Sequence, residues 1–379
     1  MDLDYRFPAL SDLRDHARRR IPHYLWEYLD NATGDEGAKR RAEAALDAVE
    51  LLPGVLAGEV EPVLETTLLG RGCAAPIGIA PVGMSGAVWP DAERLLARTA
   101  AQARIPYCLS TVAAVPPEEI AGAFGDMGWF QLYAPADPAM RRDVLARARA
   151  AGFHTLILTV DVPVLSRRER EMRVNIRNPM PLTPSVLLQS ALRPAWAWGM
   201  LGRPIPRPRL FDKYADTVTK RAGDKHIGLS VRCAPDWDYL DALRAEWDGP
   251  LVIKGVLDPA AVPRLLAAGA DALWVSNHGG RQFQAAPTPV AQLPLVRAAA
   301  SPEVPIIADG AVRSGTDVLR LIALGADFVM LGRAFHHGLA AAGEAGAAHV
   351  VHLLVEQMKI DMAQLAIARP VEARGRLRR

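Results

Sequence analysis

The chain has 379 residues, of which half are hydrophobic and 23% are charged, so it can bury a large core and global disorder is excluded. Its formal net charge of +2 is nearly balanced and comes without a long basic patch interleaved with aromatic residues, so nucleic acid is not an expected partner. Three widely spaced cysteines, with no CxxC pair and no Cys/His cluster, support neither a disulfide framework nor a structural zinc site, and no metal is expected.

The N-terminal region, MDLDYRFPALSDLRDH, is acidic and polar, which is not the pattern of a secretory signal. No apolar run reaches the roughly eighteen residues that a membrane span needs. The chain is therefore expected in the cytoplasm, with peripheral attachment to the inner face of the membrane as the alternative. Residues 1–75 precede the first predicted barrel strand, and we expect them to pack helices across the bottom or the mouth of the fold.

From about residue 76 the chain repeats a short apolar run, a loop with Gly, Pro or polar residues, and an amphipathic stretch rich in Ala, Leu and Arg. Because the apolar runs do not alternate strictly, they are typical of parallel strands covered on both faces. They are PIGIAP (76–81), PYCLST (106–111), WFQLYA (129–134), TLILTVDV (155–162), PLVIKG (250–255), ALWVSNHGG (272–280), VPIIADG (304–310) and DFVMLG (327–332). Eight strand–helix units close most simply into an α/β (β/α)8 TIM barrel. An open doubly wound sheet is the alternative, but no GxGxxG follows the first strand.

The fourth strand is followed by an insertion, residues 178–213, that is rich in Pro, Trp and Leu. We find no second domain, so residues 1–379 are predicted to form a single one. Between residues 183 and 210, Leu and Trp stand beside arginines, a composition that suits a membrane surface. An active-site lid or a contact between subunits is the alternative interpretation.

Polar residues stand at the C-terminal ends of the predicted strands, where barrel enzymes form their active sites. They are Ser110, Gln131, Tyr133, Thr159, Asp161, Lys254, Ser276, Asn277, His278, Arg281, Asp309 and Arg313. Packing alone does not explain so many polar strand ends. DGAVRSG (309–315) and LGR (331–333) follow the last two strands, where barrels commonly hold a phosphate on backbone N–H groups and a helix N-terminus. Taken alone, this phosphate site also fits a non-redox phosphosugar isomerase or synthase.

The run SNHGGRQ (276–282), placed after a barrel strand, resembles the signature of the FMN-dependent α-hydroxy acid oxidase/dehydrogenase family, which includes glycolate oxidase, lactate oxidase, respiratory L-lactate dehydrogenase and mandelate dehydrogenase. The similarity covers nearly the whole chain in the family's order. It includes IPHYLWEYLDNATGDE (21–36), IAPVGM (79–84), FQLY (130–133), LTVDVPVLSRRE (158–169), VIKG (252–255), DGAVR (309–313) and GR (332–333). The resemblance implies bound FMN, oxidation of a small L-2-hydroxy acid to the 2-oxo acid, and a homotetramer.

The same resemblance assigns the catalytic roles. His278 is expected to be the base, because an imidazole titrates near the working pH. Asp161 is expected to hold the ring and to stabilise the imidazolium as it forms. Lys254 is expected beside flavin N1, where a positive charge favours the anionic reduced flavin.

The resemblance also assigns substrate and cofactor contacts. Arg281 and Arg168 are expected to clamp the substrate carboxylate, and Tyr28 and Tyr133 to donate their hydroxyls to it and to the 2-hydroxyl group. The expected FMN contacts are Pro81, Val82, Gly83, Ser110, Gln131, Thr159, Lys254, Ser276, Asp309, Gly310, Arg313, Gly332 and Arg333.

The chain departs from the family's pattern at three places. Phe283 and Gln284 replace a common Leu-Asp pair, so substrate shape or loop closure is expected to differ. Val112 stands where glycolate oxidases carry a bulky aromatic residue, which favours a substrate side chain larger than the hydrogen of glycolate. Gly83, where oxidases often have Ala, favours a dehydrogenase that passes electrons to quinone or another acceptor. An oxidase that produces hydrogen peroxide is the alternative, and a sensory flavoprotein without catalysis is a more distant one.

Overall fold

The computed structural model describes residues 2–176, 182–214 and 232–378, and eight parallel strands in it close into a barrel. A two-stranded hairpin comes first, with strands β1 (Thr66–Leu68) and β2 (Arg71–Cys73). The barrel strands are β3 (Ile77–Ile79), β4 (Tyr107–Ser110), β5 (Gly128–Leu132), β6 (Thr155–Thr159), β7 (Leu251–Lys254), β8 (Ala272–Val275), β9 (Ile306–Asp309) and β10 (Phe328–Leu331). Each pairs with its neighbour in chain order, and β10 pairs with β3. The predicted TIM barrel is confirmed, and every barrel strand overlaps one of the eight predicted runs.

Both faces of each barrel strand are buried, which explains why the apolar runs do not alternate with polar residues. Along β6, Ile157 packs into the cluster inside the barrel, whereas Leu156 and Leu158 pack outward against the helices. Large side chains such as Trp129 and Phe328 fill the interior. The barrel is therefore a packed core, and ligands can bind only at its ends.

The hairpin closes the amino-terminal end of the barrel. Leu68 and Cys73 pack into the same interior cluster as the inward-facing strand residues. The turn between β1 and β2 has positive φ at both central residues, 49° at Leu69 and 77° at Gly70, a geometry that suits the twist of a two-residue hairpin. The N-terminal segment was predicted to be helical, so the hairpin is a correction to that prediction.

The N-terminal segment up to Asp47 is mainly helical and crosses the opposite end of the barrel. Its helices are α1 (Leu3–Arg6), α2 (Leu10–Arg20), α3 (His23–Leu29) and α4 (Gly37–Asp47). Between α3 and α4, the N–H of Thr33 donates to the carbonyl of Gly280 over 3.0 Å. This bond ties the segment to the loop after β8, so its side chains reach the mouth of the barrel.

The remaining helices surround the barrel or belong to the insertion. They are α5 (Ser85–Val88), α6 (Ala92–Ala103), α7 (Pro138–Ala150), α8 (Glu169–Arg173), α9 (Pro184–Ala191), α10 (Pro194–Met200), α11 (Trp237–Glu246), α12 (Val262–Ala267), α13 (Pro289–Ala299), α14 (Gly315–Ala323) and α15 (Arg333–Leu365), with short 3-10 turns at Pro117–Ile120, Arg209–Tyr214, Pro259–Ala261, His278–Gly280 and Pro370–Arg376. Capping residues mark the first turns of two of these helices. The side chains of Asp137 and Thr288 cap α7 and α13, and a proline follows each cap.

Among the described residues, α15 is the one helix long and apolar enough to cross a membrane by length and composition. Half of the most apolar stretch of α15 is buried inside the protein, and the helix packs against α2, α6 and α14. It also bends at Ala342 and Gly343, whose backbone angles are not helical. Burial of this kind is typical of a core helix in a globular protein.

Candidate active site

A cavity of about 1960 Å³ opens at the carboxyl end of the barrel strands. Ligand pockets commonly measure roughly 300–1,000 Å³, so this one has room for a nucleotide cofactor and a small substrate together. The predicted site residues that line it are Tyr28, Pro81, Val82, Gly83, Tyr133, Arg168, Lys254, His278, Arg281, Asp309, Gly310, Arg313, Gly332 and Arg333. Five others, Ser110, Gln131, Thr159, Asp161 and Ser276, stand behind this lining and reach it through hydrogen bonds.

His278 and Asp161 form a pair at this mouth. His278 Nδ1 lies 3.0 Å from Asp161 Oδ1, and His278 Nε2 lies 3.5 Å from the Tyr133 hydroxyl. Because a carboxylate accepts only, it holds the ring proton on Nδ1 and leaves the lone pair on Nε2. The backbone of His278 takes a positive φ of 58°, and its N–H donates to Ser276 Oγ. The loop thus aims a proton-accepting nitrogen into the cavity.

The protonation states of the pair follow from burial and charge. Burial lowers the pKa of His278, and Asp161 opposes that change without cancelling it. For Asp161, burial alone would raise the pKa, but His278 and Lys254 outweigh it and the pKa lies below its usual value. At neutral pH the imidazole is therefore neutral and the carboxyl group ionised, which is the state that a general base needs.

The two predicted clamp arginines are joined by a carboxylate that the sequence analysis missed. Glu171 Oε1 accepts hydrogen bonds from Arg281 Nη2 at 3.0 Å and from Arg168 Nη1 at 3.2 Å, and also from Asn31 Nδ2 at 2.8 Å. The available signal was the acidic residue three positions after Arg168, at the start of a helix. One carboxylate shared by two guanidinium groups leaves a net positive charge at this wall.

Arg281 is a buried cation that lies close to a second positive charge, that of Arg168. Its Nη1 donates to the carbonyl of Tyr28 over 2.8 Å, and its side chain is 14% exposed. Burial and the nearby charge of Arg168 lower the pKa of Arg281 to about 9. An anion bound between Arg281 and Arg168 would relieve both effects, so the wall suits a carboxylate.

Both predicted tyrosines face the cavity as hydroxyl donors. The Tyr28 hydroxyl donates to the carbonyl of Gly83 over 2.8 Å, and burial raises the pKa of Tyr28 to about 12. Burial also raises the pKa of Tyr133. Both groups are therefore protonated at neutral pH. Tyr133 can donate to an oxygen of a ligand, and Tyr28 can do so by exchanging its bond to Gly83 for one to the ligand.

Lys254 is a buried cation on the floor of the cavity. Its Nζ donates to Ser276 Oγ over 3.0 Å, lies 3.5 Å from Asp309 Oδ2 and stands 5.1 Å from the centre of the Trp274 ring. Burial alone would lower the pKa of Lys254, but Asp309 and Asp161 outweigh it and raise the pKa. The ammonium group therefore stays charged in a site that excludes water.

Next to Lys254, three predicted flavin contacts form one hydrogen-bonded chain across adjacent strands. Ser110 Oγ donates to Gln131 Oε1, and Gln131 Nε2 donates to Thr159 Oγ1, each over 3.0 Å. Ser110 and Gln131 are direct partners in the parallel register of β4 and β5. The barrel therefore fixes the orientation of this polar floor.

At the predicted phosphate site the two arginines differ. Arg333 Nη2 donates to the carbonyls of Gly279 at 2.8 Å and Asn31 at 2.9 Å, and burial lowers its pKa. Arg313 lines the cavity too, but it is 43% exposed and forms ion pairs with Asp47 and Asp317. The structure thus offers the Arg333 charge to an anion, whereas the Arg313 charge is already largely neutralised.

The sequence analysis also missed Lys39, which belongs to the same cavity wall. Its Nζ donates to the carbonyl of Asp30 over 3.0 Å, and burial, followed by the charge of Arg333, lowers its pKa. Nothing in the local sequence marks Lys39, because it lies on α4 and not at the end of a barrel strand. Lys39 Nζ also lies 3.5 Å from Asp30 Oδ2, so its charge is partly compensated, whereas Arg333 donates to backbone carbonyls. The two cations together suit an anion such as a phosphate group.

These residues fit FMN. The cavity is lined by cations that suit a phosphate, Arg333 and Lys39, and by a charged lysine, Lys254, beside a polar floor. Within the part of the chain that the structure describes, Asp309 lines the cavity and its Oδ1 is buried without a hydrogen-bond partner, as expected of an atom that faces a polar ligand. At Gly332 an added Cβ would lie 3.1 Å from Val82 Cγ2, so a side chain there would crowd a residue that also lines the cavity.

Comparisons with known proteins agree with this geometry. The family described as FMN-dependent dehydrogenase matches residues 17–377. An L-lactate dehydrogenase of Pseudomonas aeruginosa (strain LESB58) is 39% identical over 356 residues, covering 93% of each chain. Another, from Ectopseudomonas mendocina (strain ymp), is 40% identical over 360 residues, covering 93% of this chain and 94% of that enzyme.

Solved structures show the same likeness. The crystal structure of the monotopic membrane protein (S)-mandelate dehydrogenase superposes with a TM-score of 0.89 at 30% identity, covering 98% of both chains. A mandelate oxidase structure gives a TM-score of 0.81 at 32% identity, with the same coverage. The similarity therefore extends over the barrel, the N-terminal helices and the insertion.

Proposed function

Because this chain belongs to the FMN-dependent dehydrogenase family, whose members use FMN to oxidise L-2-hydroxy acids, we propose that His278 is its catalytic base and that its substrate is of the lactate or mandelate kind. The observation that carries the proposal is the His278 ring, which Asp161 holds through Nδ1 in a cavity that is also lined by Arg168 and Arg281. A proton acceptor beside a carboxylate site is what removal of hydrogen from a 2-hydroxy acid requires.

Each residue has a distinct task in this reaction. Arg281 and Arg168 bind the substrate carboxylate, which fixes the carbon that carries the hydroxyl group. Tyr28 and Tyr133 donate hydrogen bonds to substrate oxygens. His278 Nε2 takes a proton from the substrate, and the Asp161 carboxylate stabilises the resulting imidazolium.

FMN, when bound, supplies the acceptor for the two electrons. We propose that Lys254, with the chain Ser110–Gln131–Thr159, holds its ring, and that Arg333 and Lys39 hold its phosphate. The remaining proposed contacts are Pro81, Val82, Gly83, Ser276, Asp309, Gly310, Arg313 and Gly332. Since the Arg313 guanidinium group is paired with two carboxylates and its backbone N–H donates to Asp317 Oδ2, we expect Arg313 to contribute less to the phosphate site than Arg333.

Anaerobic mixing with L-lactate, (S)-mandelate and glycolate, followed by flavin absorbance, tests the function itself. We expect L-lactate and (S)-mandelate to bleach the flavin and their D enantiomers not to do so, because the arginine clamp and the base together select one enantiomer. If no 2-hydroxy acid bleaches the flavin, the proposed function is wrong. A non-redox phosphosugar activity is not supported, because it leaves Lys254 and the His278–Asp161 pair without a role.

We propose a quinone or another acceptor over free oxygen, with Gly83 as the supporting residue; an oxidase that forms hydrogen peroxide is the alternative. A Cβ at Gly83 would lie 2.6 Å from Val112 Cγ2 and 3.4 Å from the Tyr28 hydroxyl, so Gly83→Ala must displace Val112. Because Ala accompanies oxidases in the family, the peroxide formed per turnover should rise relative to reduction of an artificial acceptor. Peroxide and dye-reduction assays on the same preparation measure this.

The double variant Gly83→Ala/Val112→Ala makes room for the methyl group, and Val112→Ala alone is the matched control. In both variants that carry Gly83→Ala, we expect more peroxide per turnover relative to reduction of the artificial acceptor. In the Val112→Ala control this ratio should stay unchanged. An unchanged partition in the double variant would show that Gly83 does not determine the acceptor.

We further propose that the insertion contacts the inner face of the membrane. One face of it docks on the protein: Trp196 is buried, and its Nε1 donates to the carbonyl of Ala87 over 3.1 Å. The other face exposes apolar side chains that do not line the cavity, namely Leu188, Leu192, Trp198 and Leu201. Trp198 is 79% exposed, and Arg203 is nearby with a half-exposed side chain. Exposed Leu and Trp beside cations suit an anionic lipid surface.

The inner face of the insertion also lines the active-site cavity. Substitutions confined to the solvent face therefore test the membrane contact and leave the cavity lining intact. We expect Leu188→Ser/Leu192→Ser/Trp198→Ser to lose co-sedimentation with anionic vesicles, since each fully buried apolar side chain contributes about 1.5–3 kcal/mol. FMN content and anaerobic flavin reduction should stay unchanged, whereas damage to a lid would slow reduction without lipid. Higher salt should weaken binding of the unaltered protein.

Val55→Ser is the matched control, because Val55 is 83% exposed but lies outside the insertion. If the unaltered protein does not sediment with vesicles at low salt, the membrane proposal is wrong and the lid or subunit-contact interpretation replaces it. We also propose, from the family resemblance, that residues 1–379 act as one FMN-binding domain, that the protein is cytoplasmic and that it assembles as a homotetramer.

A further inference from the structure

Arg232 places an additional cation in the active-site cavity, outside the set that the mechanism uses. Its backbone bridges to Pro135, and the N–H of the next residue, Cys233, donates to the carbonyl of Ala134 over 2.9 Å. These bonds fix Arg232 beside the segment that follows β5 and carries Tyr133. Its guanidinium group stands 5.3 Å from the centre of the Tyr133 ring. Since the Tyr133 hydroxyl lies 3.5 Å from His278 Nε2, one aromatic ring separates Arg232 from the base.

The guanidinium group of Arg232 lacks the partner that its burial calls for. Its Nη2 is buried and has no hydrogen-bond partner among residues 2–176, 182–214 and 232–378. Burial lowers its pKa, which Tyr133 opposes and the positive charge of Arg168 reinforces. A partly buried cation that has no carboxylate partner among these residues is stabilised when a ligand supplies the anion.

The other cations near the base already have carboxylates. Arg168 and Arg281 share Glu171, and Lys254 lies 3.5 Å from Asp309. The substrate carboxylate and the FMN phosphate are matched to the arginine clamp and to Arg333, so neither is the missing anion of Arg232. A second acidic group on the substrate would supply this anion.

The apolar part of the cavity lining indicates what could connect that anion to the reacting carbon. Val112, Leu165, Met172 and Ile176 line the same cavity and supply apolar surface. A short hydrocarbon stem along such surface, ending in an acidic group, satisfies both the apolar wall and the cation. Neither the methyl group of lactate nor the phenyl ring of mandelate supplies that charge.

We propose, building on the function proposed above, that Arg232 binds a second carboxylate at the far end of the substrate, so that the preferred substrates are L-2-hydroxy dicarboxylic acids. Oxidation converts the C2 alcohol into a ketone and breaks the C2–H and O–H bonds. Two electrons and one proton pass to FMN, and the second proton passes to His278. The product is the 2-oxo dicarboxylate, and the distal carboxylate is unchanged.

The test compares acids of equal chain length with and without the distal charge. L-Malate is paired with L-2-hydroxybutanoate, and L-2-hydroxyglutarate with L-2-hydroxypentanoate, in anaerobic flavin reduction by the holoenzyme. We expect kcat/KM to favour at least one dicarboxylate over its neutral partner on the order of 10- to 100-fold, the range of one charge-assisted contact. Arg232→Met should abolish that preference and leave the neutral acids nearly unchanged, and Arg232→Lys should retain part of it.

A binding measurement without turnover supports the comparison. Succinate and butanoate, titrated against the oxidised holoenzyme, report dissociation constants through the flavin spectrum. We expect tighter binding of succinate in the unaltered protein, and loss of that difference in Arg232→Met and Arg232→Gln.

Three outcomes overturn the inference. One is an unaltered enzyme that prefers the neutral acids, and another is an Arg232→Met variant that keeps the preference for dicarboxylates. The third is an Arg232→Met variant with normal FMN content in which kcat/KM falls equally for dicarboxylates and neutral acids, which would make Arg232 a structural residue. Bleaching by neutral acids in all three cases would leave the proposed function intact, whereas no bleaching by any 2-hydroxy acid would overturn both.

Discussion

His278→Gln is expected to keep FMN bound and to slow reduction of the flavin by substrate by roughly 10²–10⁴-fold, the loss associated with a general base. Glutamine cannot take a proton at neutral pH, whereas the imidazole held by Asp161 can. FMN should remain, because none of the contacts that we assign to its ring and phosphate uses the His278 side chain. Anaerobic rapid mixing with saturating substrate measures the rate, and the absorbance of the purified protein measures FMN content.

Asp161→Asn is the companion variant, and its pH profile separates a base from a merely structural histidine. Asp161 raises the pKa of His278 against the larger effect of burial, so its removal should lower that pKa further. In the unaltered enzyme the rate should fall as pH drops through the His278 pKa, which lies below the usual value. In Asp161→Asn that acid limb should move to lower pH, and the plateau should fall as well. Near-normal flavin reduction in His278→Gln would remove His278 from the role of base.

Arg281→Met is expected to weaken substrate and simple carboxylate inhibitors alike, by roughly 2–5 kcal/mol, because it removes one partner of a desolvated ion pair. That corresponds to about 30- to 5,000-fold in an inhibition constant. The structure adds a second reason for a large effect: without Arg281, the Glu171 carboxylate has only Arg168 as a charged partner and repels the incoming anion. Competitive inhibition by a 2-oxo acid and the KM of the substrate give the two measurements.

Glu171→Gln combined with Arg281→Met separates these two contributions. The double variant should recover part of the lost affinity if Glu171 repels the ligand, and Arg281→Lys should keep the charge but lose the paired geometry. An inhibition constant unchanged in Arg281→Met would exclude Arg281 from the carboxylate site.

Features encoded in short stretches of sequence were predictable. The eight strands followed from apolar runs, since parallel strands buried on both faces need continuous hydrophobic residues. The gathering of polar residues at one end of the barrel followed from the direction of the strands. The pairing of His278 with Asp161 was implied by family resemblance, and the structure places the two side chains within hydrogen-bond distance.

Features that depend on contacts between distant segments were not predicted. Glu171 joins two arginines from different loops, and Lys39 reaches the cavity from an N-terminal helix, so neither stands out in its own sequence neighbourhood. The exposed pairing of Arg313 with Asp47 is also a contact between distant residues. The hairpin was missed because its turn has Leu69 before Gly70, where Asn or Asp would have marked a two-residue turn.

Closure of the barrel has a consequence for the order of events during folding. Strand β10 pairs with β3, so the contact that completes the barrel joins segments separated by nearly the whole barrel sequence. Contacts of such high sequence separation carry a large loop-closure entropy and form slowly. During synthesis the edges of β3 and of the growing sheet stay unpaired until the last strand has left the ribosome. The nascent chain is therefore open to edge-to-edge aggregation over most of its synthesis, and truncation before β10 removes the partner that protects β3.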